Sequence, residues 1–177
     1  MKTIAKASAV LLVLTACARA QHHASASIVK ELSRAWVRYY AETYHVPTEL
    51  VEAIIDQESA WDPYALSSKG AAGLMQLMPN TTVRFGVRNR FRVEQNIKGG
   101  VAYLAWLNGQ FNGDLRLITA AYYVGEAPIY SRGLAYANRD VHEYVSRVAA
   151  RYRARCAMAR QRSLATSTDE VSHELYP

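Results

Sequence analysis

The stretch IIDQESAWDPYALSSKGAAGLMQLMPNT, Ile54 to Thr81, changes from a helical pattern to a loop pattern directly after one glutamate. Leu50, Ile54 and Glu58 are spaced four residues apart, and each such step turns only about 40° around a helix axis. Glu58 therefore extends the apolar stripe of a predicted helix, for which Thr48 is the predicted N-cap. A carboxyl group on that stripe is expected to lose part of its hydration, and desolvation raises the pKa of a carboxylic acid.

Helical patterns also dominate the rest of the chain. Pro63, paired serines and two glycines mark residues 61–73 as a loop, and a short helix is predicted from about Asn80 to Gly86. We find no internal repeat and no linker, so a mostly α, single-domain fold with little or no β-structure is predicted. The other predicted helices cover residues 28–44, 97–111, 115–124 and 141–158.

Residues 1–20 are interpreted as a secretory signal peptide. Lys2 and Lys6 precede an apolar run, Ala9 to Leu14, which is far shorter than the roughly 20 residues of a membrane-spanning helix. The protein is therefore expected to be exported, with the periplasm as its location.

Two cleavage sites remain open for this signal. Leu14 to Cys17 has the sequence LTAC and resembles a lipobox, which predicts a lipoprotein signal over residues 1–16 and a lipid anchor at Cys17 on the outer membrane. Ala18 to Ala20 has the sequence ARA and fits an ordinary A-x-A site. Cys17 is either lipidated or removed with the signal, so Cys156 is the only cysteine of the mature chain with a free thiol. No intrachain disulfide is therefore expected, although the protein is exported.

The overall composition is that of a folded protein with a basic bias. The chain has 177 residues, of which 50% are hydrophobic and 20% are charged, and its net charge is +6. These values argue against a disordered protein, and the positive charge favours an anionic partner. Nucleic acid is not expected as that partner, because an exported chain seldom meets it.

Charge is unevenly distributed after Ser146, and residues 156–177 are predicted to form a charged tail. Basic side chains come first, and Asp169, Glu170 and Glu174 follow them. The basic side chains are interpreted as a solvated helix face, and contact with an anionic envelope surface is the alternative. They are Arg147, Arg151, Arg153, Arg155, Arg160 and Arg162.

Five short motifs lie in order along the chain. They are AIIDQES (Ala53 to Ser59), SSKGAAGLMQLMPNT (Ser67 to Thr81), NIKGGVAYL (Asn96 to Leu104), AAYYVG (Ala120 to Gly125) and EYVSRV (Glu143 to Val148). Together they resemble the motifs of the soluble-type lytic transglycosylases, whose catalytic domain is related in fold to goose-type lysozyme. The similarity covers about Val46 to Val148. It implies a lysozyme-like domain, with residues 27–155 as its predicted bounds, and peptidoglycan glycan strands as the substrate.

The resemblance also implies roles for side chains around the first two motifs. Glu58 matches the family's catalytic glutamate, and no cofactor is implied. Ser59, Met75 and Gln76 match positions that line the cleft next to the acid. Core packing remains an alternative role for Met75, and a loop hydrogen bond remains one for Gln76.

Two tyrosines are placed near the acid by the same resemblance, and the sequence departs from the family pattern beside each. Tyr122 and Tyr144 match these positions, with a buried aromatic ring and a satisfied hydroxyl as the alternative for both. Tyr123-Val124 stands where the family usually has Asn-Ala, and Asp140-Val141 stands where it usually has Glu-Thr. The first change alters a hydrogen-bonding position, and we expect the bulk of Tyr123 to change how sugars are seated.

Glycoside hydrolysis ordinarily requires two carboxylates, and the sequence offers no convincing second one near Glu58. Asp56 lies about 200° around the helix axis and is interpreted as a surface charge. Asp62 precedes a proline and is interpreted as the side chain of an Asx turn.

The resemblance implies a mechanism that needs only one carboxylate. In lytic transglycosylases a single glutamate protonates the oxygen between N-acetylmuramic acid and N-acetylglucosamine, while the acetamido group of the substrate stabilises the cationic centre. The same glutamate then takes a proton from the primary hydroxyl of the muramoyl sugar, which closes an anhydro ring. Groups of the bound substrate thus replace the second carboxylate.

Two other functions remain open at this stage. One is a goose-type muramidase, in which water attacks and Asp62 serves as the base; the other is a non-catalytic module for glycan binding or assembly. Use at a secretion or conjugation assembly is a further expectation, based on the short chain. Trp36, Trp61 and Trp106 are interpreted as core aromatics, with stacking on sugars as the alternative. The five histidines lack zinc-ligand spacing, so no metal is expected.

Overall fold

The computed structural model describes residues 26–174, with side chains through residue 165. The predicted signal peptide and Cys17 lie outside the described residues. The chain divides into two compact units, Met1–Ala35 and Trp36–Pro177. In the first unit residues 26–35 are helical, and the Ser33 hydroxyl donates to the carbonyl of Val29 at 2.7 Å.

The larger unit is built from helices, which confirms the predicted fold class. Between residues 36 and 174 the structure has no β-strand, only two isolated antiparallel bridges, which join Ala72 to Leu66 and to Leu77. A 3-10 turn, Gly133–Ala135, lies between the last two helices. The helices are α1 (residues 36–43), α2 (Thr48–Glu58), α3 (Pro79–Arg84), α4 (Val93–Gln110), α5 (Leu115–Val124), α6 (Glu126–Arg132) and α7 (Arg139–Glu174).

Three local features differ from the predictions. Thr48 is the first helical residue of α2, so its prediction as N-cap was wrong; Pro47 precedes the helix and no side chain caps it. Helix α6 was not predicted; it contains Pro128, but a proline in the first turn removes no helical hydrogen bond. Helix α7 continues far beyond the predicted end at residue 158, because alanine, arginine and glutamine favour helix even without an apolar stripe.

Helix α2 runs through the core of the larger unit. Val51, Ala53, Ile54 and Ile55 are all fully buried. Helix α7 packs against α2 and α5, and α5 in turn packs against α4 and α6. The end of α2, which carries Glu58, is therefore surrounded by other elements of the fold.

An ion-pair cluster attaches α7 to α2. Arg155 pairs with Glu52, and its Nη2 and Nε lie 2.6 and 2.8 Å from Oδ2 of Asp56. Asp56 also accepts a hydrogen bond of 2.7 Å from Nε1 of Trp61. The interpretation of Asp56 as a surface charge was therefore wrong, because α7 covers the side of α2 that this carboxylate faces.

Candidate active site

A cleft of about 490 Å³ opens at the end of α2. Its walls are formed by Glu58, by the loop from Ser67 to Met78, by the end of α5 and by residues 138–141 at the start of α7. Four segments that are distant in sequence thus meet around one carboxyl group.

Glu58 is partly buried at the wall of this cleft. Burial raises the pKa of its carboxyl from 4.5 to about 7, and a hydrogen bond from the Tyr144 hydroxyl to Oε1 lowers it in part. The predicted desolvation of Glu58 is confirmed. Near neutral pH both protonation states of the carboxyl are populated, which suits a group that first donates and then accepts a proton.

Tyr122 and Tyr144 lie beside Glu58 and act as hydrogen-bond donors. The Tyr144 ring is 2% exposed and its hydroxyl donates to Glu58. The Tyr122 hydroxyl donates to the carbonyl of Met75 at 2.7 Å, while the side chain also lines the cleft. Burial first, and then the charge of Glu58, raises the pKa of both tyrosines well above the usual value, so both keep their protons.

The loop after Glu58 is held by its own polar side chains. The Ser59 hydroxyl donates to the carbonyl of Leu74 at 2.8 Å and accepts a hydrogen bond of 3.2 Å from the backbone N–H of Trp61. Nε2 of Gln76 donates to the carbonyls of Ala65 and Gly73 at 3.0 and 2.9 Å. The loop hydrogen bond considered for Gln76 is confirmed, and the same side chain also lines the cleft.

Asn96 of α4 fixes the other side of this loop. Its Oδ1 accepts a hydrogen bond of 2.8 Å from the N–H of Met75, and its Nδ2 donates to the carbonyls of Ala72 and Arg90 at 2.9 and 2.8 Å. Gly73 lies against this side chain with φ +79, and a Cβ there would be 2.2 Å from the Arg90 oxygen. Only glycine fits that position.

The Met75 side chain lies in the core and not on the cleft wall. It is fully buried, and a Cβ on Gly100 would come within 2.3 Å of its Sδ. The prediction that this side chain lines the cleft is therefore not supported, while the core-packing alternative agrees with the structure. The backbone of Met75 still contributes, because its carbonyl holds Tyr122.

The carboxylate considered as a hydrolytic base lies in a turn. Asp62 is exposed, and its Oδ1 accepts a hydrogen bond of 2.9 Å from the N–H of Tyr64, so the predicted Asx turn is confirmed. Asp62 does not line the cleft described above. Trp61 is 6% exposed, as expected for a core aromatic.

Two side chains of the cleft wall, Lys69 and Asn138, were missed by sequence reasoning. Asp140 lies there too, although it had been noted only as a departure from the family pattern. Tyr123, which was expected to change how sugars are seated, is also on the wall. A signal for Asp140 was available: it precedes Tyr144 by four residues, and side chains at that spacing share one face of a helix.

Neither a metal-binding cluster nor a membrane-spanning helix occurs in the described part of the chain. Within residues 26–165, no three His, Cys, Asp or Glu side chains gather in a way that would hold a metal ion. Among the described helices, none is long and apolar enough to span a membrane.

The fold and the site define an all-helical domain with one protonatable glutamate in an open cleft. Residues 35–144 match the model of the family described as Transglycosylase SLT domain. Because that match covers more than half of the chain, the protein belongs to this family, which confirms the resemblance seen in the motifs.

Individual relatives agree with this assignment. The chain is 46% identical over 72 residues to membrane-bound lytic murein transglycosylase F of Desulfosudis oleivorans, a match that covers 41% of this chain and 16% of that protein. It is 39% identical over 92 residues to the protein of the same name from Pseudomonas fluorescens, covering 49% and 19%. The chain therefore spans less than a fifth of the length of these two relatives.

Solved structures give the same fold. An inactive mutant of lytic transglycosylase Slt from Pseudomonas aeruginosa superposes with a TM-score of 0.65 at 27% identity, covering 72% of this chain and 24% of that one. The 70 kDa soluble lytic transglycosylase of Escherichia coli gives 0.60 at 27% identity, covering 67% and 23%. The predicted lysozyme-like, all-α fold is confirmed.

Proposed function

We propose that this protein is a peptidoglycan lytic transglycosylase that cleaves the β-1,4 bond between N-acetylmuramic acid and N-acetylglucosamine and leaves a 1,6-anhydromuramoyl end. One observation carries the proposal: Glu58 lies partly buried on the cleft wall with a pKa raised to about 7 and a tyrosine hydroxyl on its carboxylate. Membership of the family supports the same reaction.

In the first half of the reaction Glu58 acts as an acid. Its carboxyl proton moves to the glycosidic oxygen, the bond from that oxygen to the muramoyl anomeric carbon breaks, and the acetamido group of the substrate stabilises the positive centre. The carboxylate left behind is stabilised by the hydrogen bond from Tyr144.

In the second half Glu58 acts as a base. The carboxylate takes the proton of the primary hydroxyl at C6 of the muramoyl sugar, and the C6 oxygen bonds to the anomeric carbon. Glu58 is then protonated again and no water is consumed. The C6 hydroxyl belongs to the same sugar, so its effective concentration is high and no second carboxylate is required.

The test is mass spectrometry of the muropeptides that the purified protein releases from sacculi, with Glu58→Gln as the control. We expect anhydromuramoyl products from the wild type and none from a folded Glu58→Gln variant. Substantial activity in that variant would show that Glu58 is not the acid and base of the reaction. A wild type that binds glycan strands but releases no products would favour a non-catalytic module.

A muramidase is the second candidate function, and the position of Asp140 is the observation that favours it. Asp140 lines the cleft that contains Glu58, whereas Asp62 lies in a turn. Activation of a water by Asp140 would give reducing ends in place of anhydro ends. Reducing ends that disappear in Asp140→Asn would establish hydrolysis.

We also propose that the protein acts in the periplasm and is anchored through Cys17. The lipobox of residues 14–17 supports this, and the two relatives described above are named as membrane-bound. Labelling of cells with a radioactive fatty acid tests the anchor. Label in the wild type that is lost in Cys17→Ala is the expected result, and an unlabelled wild type would favour cleavage after Ala20.

A further inference from the structure

Tyr123 lies at the end of α5 and has no role in the reaction steps proposed above. Its ring stacks on that of Tyr144, with centroids 4.4 Å apart and planes 17° from parallel. Tyr123 also lines the cleft that contains Glu58, and 44% of its surface is exposed.

The stack determines which part of the Tyr123 ring is accessible. One face covers Tyr144, which is itself 2% exposed, so the exposed surface of Tyr123 is its opposite face and its edge. This surface borders the cleft. The ring behind it is fixed by the hydrogen bond from Tyr144 to Glu58.

The other tyrosine of the described cleft wall is already engaged. Tyr122 donates its hydroxyl to the carbonyl of Met75, and its ring packs at 5.4 Å against Tyr103. Tyr123 is therefore the cleft aromatic with a ring face left for a ligand.

A pyranose ring presents a face of C–H groups, which are apolar and weakly positive. The face of an aromatic ring is apolar and carries the negative part of its quadrupole. A sugar that stacks on Tyr123 also removes apolar surface from water. We propose that Tyr123 is a stacking platform for an N-acetylhexosamine ring of the glycan and that it sets the affinity for the strand next to Glu58.

The identity of this ligand rests on the proposed function, but binding can be measured without turnover. The probe is a preparation of glycan strands from sacculi whose peptides have been removed by an amidase. Calorimetry gives the dissociation constant for Glu58→Gln alone and with Tyr123→Ala, Tyr123→Phe or Tyr130→Ala added.

Tyr130 is the matched control. It is 50% exposed and stacks on Phe111 with centroids 5.2 Å apart, but it lies on α6 and does not line the cleft. Loss of the Tyr123 ring is expected to weaken binding roughly fivefold to tenfold, the size of an aromatic stacking contact. Phenylalanine at 123 and alanine at 130 should each leave binding within about twofold of the parent.

Equal binding by the Tyr123→Ala variant, or a loss with Tyr123→Phe as large as that with alanine, would overturn the platform. So would a parent that binds no glycan. When Glu58 is intact we expect Tyr123→Ala to raise KM and to leave kcat nearly unchanged. A fall in kcat at constant KM would instead make Tyr123 a support for Tyr144, which also overturns the proposal.

Failure of the proposed function would look different from failure of the platform. A wild type that releases no anhydromuramoyl ends, together with glycan binding that still depends on the Tyr123 ring, would overturn lytic transglycosylation and support the platform. Release of anhydromuramoyl ends, together with glycan binding that does not depend on Tyr123, would support lytic transglycosylation and overturn the platform.

Discussion

Glu58 holds its proton more tightly in the folded protein than in the unfolded chain, and this has a consequence for stability. Its pKa rises from 4.5 to about 7 on folding. Between these two pH values the folded state binds more protons than the unfolded state, so Glu58 makes the free energy of unfolding fall as pH rises. Below the pKa of Glu58 in the unfolded chain, this residue causes no loss of stability. Above its pKa in the folded protein, the loss of stability is complete.

Replacement of Glu58 by glutamine should therefore stabilise the protein at neutral pH. Glutamine does not titrate, so the variant's free energy of unfolding is expected to exceed that of the wild type by an amount that grows between pH 4.5 and about 7. That difference should reach roughly 2 to 3 kcal/mol. Urea unfolding at a series of pH values measures it. A gain that does not depend on pH would contradict the raised pKa.

Tyr144 should control the pH at which Glu58 works. Its hydrogen bond lowers the pKa of Glu58, so Tyr144→Phe should raise that pKa and move the high-pH limb of the rate profile upward. The turnover number should fall about tenfold or more, because the carboxylate formed in the first half loses its donor.

The control for Tyr144→Phe is Tyr130→Phe. The Tyr130 hydroxyl also donates to a side-chain oxygen, that of Gln110 at 2.7 Å, but at an exposed site. A pH profile that moves equally in both variants would show that Tyr144 does not act on Glu58.

Predictions for single residues succeeded or failed according to how far along the chain their contact partners lie. The desolvation of Glu58 was predictable because Glu58 continues the stripe of Leu50 and Ile54, which faces the core, even though other segments complete its surroundings. Asp56 was misjudged because Arg155 is 99 residues distant, and no local pattern records that contact. The hydrogen bonds of Asn96 to the loop from Ser67 to Met78 were not predicted for the same reason, although the motif that contains Asn96 was recognised.

At the scale of helices, the fold depends on the attachment of α7 to α2. Arg155 is 14% exposed and serves two carboxylates, Glu52 and Asp56, that are 16% and 27% exposed. Methionine has a similar length and no charge, so Arg155→Met should cost roughly 1 to 3 kcal/mol by removing the shared cation of two carboxylates.

Arg139→Met on the same helix is the comparison for Arg155→Met. Arg139 pairs with Glu143 at 2.8 Å, but its side chain is 89% exposed, and an exposed pair of this kind contributes little to stability. Thermal unfolding of both variants is the measurement. Equal melting temperatures would show that the Arg155 cluster does not hold α7 in place.

Helix prediction succeeded where an apolar stripe existed. Helix α5 was predicted with the bounds Leu115–Val124 that the structure shows, because one face of it lies in the core. Helix α7 was predicted only as far as its stripe extends, since the sequence beyond has no such pattern and the side chains described from residue 160 to residue 165 are exposed. The loop from Ser67 to Met78 is fixed in part by Asn96 of α4, so its shape could not be derived from its own residues alone.

At the scale of the whole molecule, the last described side chains of α7 lie on its surface. The side chains described from residue 160 to residue 165 are all exposed. A chain that ends at Arg160 keeps Arg155 and should melt within about 2 °C of the full chain, because the described side chains beyond residue 160 are exposed. Calorimetry tests this, and a larger loss would assign the last turns a structural role.

The direction in which α2 runs also bears on Glu58. Glu58 is the last residue of α2, and the free carbonyl groups at the end of a helix carry a partial negative charge. That dipole opposes a carboxylate by about 0.3 to 1 kcal/mol, in the same sense as burial. A helix that met the cleft with its first turn would favour the same glutamate as an anion. The polarity of α2 thus helps to keep the acid protonated before the substrate arrives.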